Sequence, residues 1–107
     1  LAIALAGIAA TGAVAHTLAV PVVAPREFTV TMANMSFGKL PSGVKVGDVI
    51  VWVNRDTVPH SATARDRSFD VRLGQGQQVR MTVKKAGTFA IYCIYHPAMR
   101  GTLTVAS

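Results

Sequence analysis

The chain is expected to fold as an all-β sandwich or barrel of about seven or eight short strands. Three observations lead there. From Arg26 onward apolar and polar residues alternate with period two, turn signals separate the alternating runs, and no sustained 3.6-residue period follows residue 25. Phe28, Val30 and Met32 alternate with Glu27, Thr29 and Thr31. Val44 and Val46 lead into the turn Gly47-Asp48, and the next run, VIVWVN at 49–54, is apolar on both faces, as suits a strand in the middle of a packed sheet. Phe69, Val71 and Leu73 alternate with Asp70 and Arg72, and Val79, Met81 and Val83 with Gln78, Arg80, Thr82 and Lys84. After Gly87, the residues Phe89, Ile91 and Cys93 share a face, and Leu103 and Val105 close the chain. Pro41-Ser42-Gly43, Gly74-Gln75-Gly76 and Ala86-Gly87 mark further turns, and Arg65–Ser68 is expected to be exposed.

A length of 107 residues allows one domain. Residues 1–25 contain no Asp, Glu, Lys or Arg, whereas residues 26–107 have the composition of an ordinary globular domain. Residues 1–25 are expected to be the remnant of a secretory signal, with Ala13-Val14-Ala15 as the small-residue cleavage pattern, or else a membrane anchor. Gly7, Gly12, His16, Pro21 and Pro25 interrupt the stretch and weigh against the anchor. Either alternative places the domain outside the cytoplasm, in a periplasm.

Eleven Lys and Arg against five Asp and Glu give a formal charge of +6. The arginines are scattered and have little aromatic interleaving, which argues for a solvated surface rather than a nucleic-acid site. The positive field would still speed encounters with an acidic partner. One cysteine excludes an internal disulfide and every zinc pattern built on cysteine pairs.

That cysteine lies in CIYHPAM, residues 93–99, in step with His96 and Met99. Alternation turns Cys93 inward at a strand end, next to a loop marked by Pro97 and Gly101. A thiolate and two imidazoles with a weak axial thioether form the ligand set of a blue-copper electron-transfer site. The second imidazole is assigned to His60, just after the buried strand, because the other histidine, His16, lies in the N-terminal segment. Taken singly, Cys93 would pass for a small buried hydrophobe, His60 for a loop residue and Met99 for core filler; together they favour metal. A nucleophilic Cys93 activated by His96 lacks a helix N-terminus to lower its pKa and a nearby acid to orient the ring. Structural zinc is disfavoured by the thioether and the missing second thiol.

With these residues in place, the chain resembles the cupredoxins, the small blue copper proteins, and in particular the amicyanin- and plastocyanin-like members. VKVGDVIVWVNRDTVPH (44–60) and KAGTFAIYCIYHPAMRGTLTV (85–105) carry the resemblance, with the compact C-x2-H-x2-M ligand loop. It implies a Greek-key β-sandwich with one copper at one end. His60, Cys93 and His96 would be equatorial ligands and Met99 axial. Redox partners, acidic ones included, would dock near His96 on an apolar patch drawing on Pro59, Pro97, Ala98 and Met35. The implied function is that of a monomeric, periplasmic single-electron carrier and not an enzyme; the alternative is a copper storage or delivery protein. Ser61 stands where amicyanin-like members often have Asn, and Tyr95 where they have Pro. Ala98 replaces a bulkier residue, and the stretch between His60 and Gln77 is shorter. Ser61 must then tie the two ligand segments together by its backbone or hydroxyl, and Asn54 is a candidate brace for the His60 loop.

Overall fold

The computed structural model describes residues 24–107; the expectations for residues 1–23, His16 included, lie outside them. Eight strands form two sheets: β1 (Glu27–Met32), β2 (Val44–Lys45), β3 (Val49–Asn54), β4 (His60–Ala64), β5 (Asp70–Leu73), β6 (Gln78–Thr82), β7 (Gly87–Tyr92) and β8 (Arg100–Ala106). One sheet has the order β1-β3-β6 and the other β2-β8-β7-β4-β5. β1 runs parallel to β3 and β2 parallel to β8, while the remaining pairs are antiparallel. No helix among the described residues is long and apolar enough to cross a membrane.

The expected all-β Greek-key sandwich is the fold found, and period-two alternation is its cause. Along β1, Val30 and Met32 turn inward; along β8, Leu103 and Val105 do so. β3 lies between β1 and β6, and its Ile50 and Trp52 are wholly buried, as its continuous apolar run requires. Each such side chain contributes about 2–3 kcal/mol by leaving water, so the inter-sheet core outweighs the exposed ion pairs such as Arg80–Glu27 and Arg72–Asp70, which solvent screens. Trp52 packs between Phe37, edge-on at a centroid distance of 6.3 Å, and Phe69, tilted at 6.4 Å. Its indole N–H is the one buried side-chain polar group among the described residues without a partner.

β4, with the sequence HSATA, was not expected as a strand, because it lacks the branched and aromatic residues that favour one. All five of its residues are buried between β5 and β7. Small side chains suit that crowded position, and the tertiary setting overrides the weak local preference. This strand matters most for the site, since it begins at His60.

Two turns at the ends of the sandwich rest on carboxylates. Asp48 follows Gly47, whose φ of 97° suits only glycine. Its carboxylate accepts the Lys45 amide at 2.8 Å and the Arg26 guanidinium at 3.0 Å, and these donors, the Lys45 amide foremost, hold its pKa below the usual aspartate range. At the other end, Ala33 and Ser36 pair across a two-residue turn in which Asn34 and Met35 both have positive φ, 54° and 59°. This is the backbone of a hairpin turn that normally calls for glycine, and a methionine there is strained.

Candidate metal centre

Three chain segments meet at the end of the sandwich that carries the Asn34–Met35 turn. The first runs from Asn54, the last residue of β3, to His60, the first of β4. The second is β4 itself, and the third is the loop 93–99 between β7 and β8.

Asn54 organises the first segment. It is wholly buried, and its side-chain NH2 donates to the carbonyls of Val58, Gly74 and Leu73 at 2.8, 3.1 and 3.3 Å. Its Oδ1 accepts the amide of Asp56 at 2.9 Å. The expected brace of the His60 loop is therefore present. The imidazole of His60 is also wholly buried, with Nε2 2.7 Å from Asp56 Oδ2. A carboxylate partner places the proton on Nε2 and leaves Nδ1 as an acceptor. Asp56 also accepts the Asn34 and Met35 amides, and together these contacts, the His60 bond foremost, lower its pKa to about 2.

The third segment is a pair of linked turns. His96 N–H donates to the Cys93 carbonyl at 3.2 Å, Met99 N–H to the His96 carbonyl at 2.8 Å, and Cys93 N–H closes the loop on the Met99 carbonyl at 2.9 Å. The three-residue spacing thus sets Cys93, His96 and Met99 at successive corners. Cys93 is wholly buried, Met99 is buried in the core cluster, and His96 is half-buried.

These segments bring His60, Cys93 and His96 together. Cys93 Sγ lies 3.7 Å from His60 Nδ1 and 3.6 Å from His96 Nδ1, and the donor atoms of all three residues fall within 4.8 Å of one another. The two rings stand 5.2 Å apart at 72°. Metal–nitrogen and metal–sulfur bonds of about 2.0 and 2.3 Å, meeting at trigonal to tetrahedral angles, separate their donors by about 3.5–3.7 Å. Both sulfur–nitrogen spacings therefore suit donors to one ion. Two imidazoles and a soft sulfur, with a buried thioether on the same loop, suit a metal that alternates between a softer and a harder oxidation state. Nothing in the burial of Cys93 favours a nucleophile.

Ser61 performs the tie expected of it, by both backbone and hydroxyl. Its N–H points at Cys93 Sγ at 3.3 Å, and its hydroxyl accepts the Ile94 amide at 2.9 Å. The hydroxyl proton then goes to Thr63 Oγ1 at 2.8 Å, and Thr63 donates to Asp70 Oδ1 at 2.8 Å. Arg72 holds the far oxygen of Asp70 at 3.1 and 3.2 Å. A buried relay thus fixes the position of the thiol from the surface inward. Asp56, Thr63 and Asp70 were absent from the residues expected from sequence. For Asp56 the available signal was a carboxylate four residues ahead of a ligand-type histidine; for the relay there was none, because its members meet only through sheet pairing.

A family model described as a cupredoxin-like domain matches residues 1–105. Amicyanin from Paracoccus denitrificans is 30% identical over 115 residues, covering 94% of this chain and 88% of the relative. Amicyanin from Paracoccus versutus is 30% identical over 119 residues, covering 97% and 90%. Among solved structures, the Cu(I) form of a methionine-to-alanine mutant of amicyanin superposes with a TM-score of 0.66 at 31% identity, over 78% of this chain and 85% of the other. A reduced tryptophan-to-tyrosine mutant of amicyanin gives 0.66 at 29% identity over the same shares.

Proposed function

Since the chain belongs to the cupredoxin-like family, we propose that it is a single-electron carrier whose copper is held by His60, Cys93 and His96, with Met99 as the weak axial donor. The observation that carries this is the meeting of two imidazole nitrogens and one thiol sulfur within 4.8 Å at the end of the sandwich. Copper bound there supplies a one-electron couple. The chain's own part is to hold the donors in place. Asp56 fixes the His60 tautomer, Ser61 anchors the sulfur and the linked turns fix His96 and Met99. Donors held this firmly move little between oxidation states, so little reorganisation opposes electron exchange.

Partners are proposed to dock where His96 reaches the surface. Of the three donors it alone is not fully buried, and Pro59, Pro97 and Ala98 are exposed. Tyr95 and Met35 are 44% and 46% exposed, large apolar groups at this end of the molecule. The formal charge of +6 favours redox proteins with acidic surfaces. Export to a periplasm is supported by the uncharged, apolar N-terminal segment.

Adding Cu(II) to the purified protein should produce an intense visible band from the thiolate. Reduction and reoxidation should recover it over many cycles without loss of metal. No visible band would exclude the proposed centre; a metal surrendered readily to a Cu(I) chelator would favour storage or delivery over electron transfer.

The axial role of Met99 is separately testable. Met99→Leu keeps the volume and the burial but removes the sulfur. The expected variant is still coloured but has a higher reduction potential, because the donor that favours Cu(II) is gone. Voltammetry that returned the wild-type potential would remove Met99 from the ligand set.

A further inference from the structure

We propose that Asp56 is a positioning residue that joins the buried His60 ring and the exposed Asn34–Met35 turn into one unit. Its carboxylate serves three donors. Oδ1 accepts the Asn34 amide at 2.8 Å, and Oδ2 accepts both the Met35 amide at 2.9 Å and His60 Nε2 at 2.7 Å. The two contacts that matter most therefore share one oxygen. Asp56 is itself fixed, because its amide is held by the buried Asn54 side chain.

Each end of this joint depends on it. At the inner end, the His60 ring is wholly buried. Without the carboxylate its Nε2–H would face no acceptor, and the proton would be free to move to Nδ1, the nitrogen that faces Cys93 Sγ at 3.7 Å. At the outer end, Met35 occupies a left-handed position without being glycine. Two successive amides converging on one carboxylate hold that conformation against the strain of its Cβ. Met35 is 46% exposed, so a partner pressing on it acts on the same oxygen that orients His60.

The consequence for copper rests on His60 being a ligand, as proposed above; the tautomer and the turn do not. Nitrogen-15 NMR of the metal-free protein should show His60 as a single Nε2–H tautomer with a slowly exchanging ring proton. In Asp56→Ala that proton should disappear from the spectrum and the Met35 amide should shift. Copper affinity should fall about 10- to 100-fold, and the potential should rise as the imidazole becomes a weaker donor to Cu(II). In the double variant Asp56→Ala, Met35→Gly, glycine restores the turn without restoring the tautomer or the affinity. Asp56→Asn has nearly the same shape but a single acceptor atom; with that oxygen at the Oδ2 position it should keep the His60 proton and the Met35 amide together and release only the Asn34 amide, which is bound to Oδ1. A native tautomer and native Met35 amide in Asp56→Ala, or loss of one of the two without the other in Asp56→Asn, would overturn the joint. Failure of the wild type to bind copper would overturn only the ligand assignment, leaving the metal-free spectra to judge Asp56.

Discussion

Cys93→Ser is expected to abolish the thiolate-to-copper colour and the reversible redox couple together. A serine hydroxyl stays protonated at neutral pH and is a hard donor, so neither the charge-transfer band nor the preference for Cu(I) survives the exchange. The fold should persist, because the new hydroxyl is small and still meets the Ser61 amide that now points at Sγ at 3.3 Å. Circular dichroism of the variant should therefore match the parent while absorbance titration with Cu(II) stays flat in the visible range. An intense band in a folded Cys93→Ser protein would place the chromophore elsewhere and end the ligand assignment.

Asn54→Ala should be the most destabilising single change near the site. The side chain is wholly buried and serves three carbonyls and one amide from two separate segments, Asp56–Val58 and Leu73–Gly74. Alanine leaves these groups in the interior without partners and opens a small cavity. Buried unsatisfied groups cost about 1–3 kcal/mol each, partly relieved when water enters, so a net loss of about 3 kcal/mol is expected. For a domain of this size that corresponds to a fall of about 15 °C in Tm. Asn54→Asp separates shape from hydrogen bonding, since it fills the same space but turns an acceptor toward three acceptors. It should be at least as harmful as alanine. A Tm within 2–3 °C of the parent for both variants, on the order of 0.5 kcal/mol, would show that the loop stands without this brace.

What could be read from the chain differs sharply between local and long-range features. The strands rich in branched and aromatic residues were legible, because alternation with period two is written directly into β1, β5, β7 and β8. So was the meeting of His60 with the loop 93–99, since the chemistry of the residue types left few candidates. β4 was not legible, because small residues such as Ala62 and Ala64 owe their strand conformation to the neighbours on either side. The turn at Asn34–Met35 was hidden for a related reason. It lacks the glycine that would advertise it, and the carboxylate that sustains it lies more than 20 residues further along the chain. The relay from Ser61 to Asp70 depends on β4 pairing with β5, a register that no local motif records.

The burial of the lone thiol bears on how the protein would withstand an oxidising medium. An exposed single thiol in an oxidising medium would cross-link to a second molecule or be converted stepwise to oxyacids. Cys93 shows no surface to solvent, and a half-buried ring, His96, stands beside it as the least enclosed of its neighbours in the centre. Burial of Cys93 beneath that ring and its neighbours therefore slows damage to the thiol.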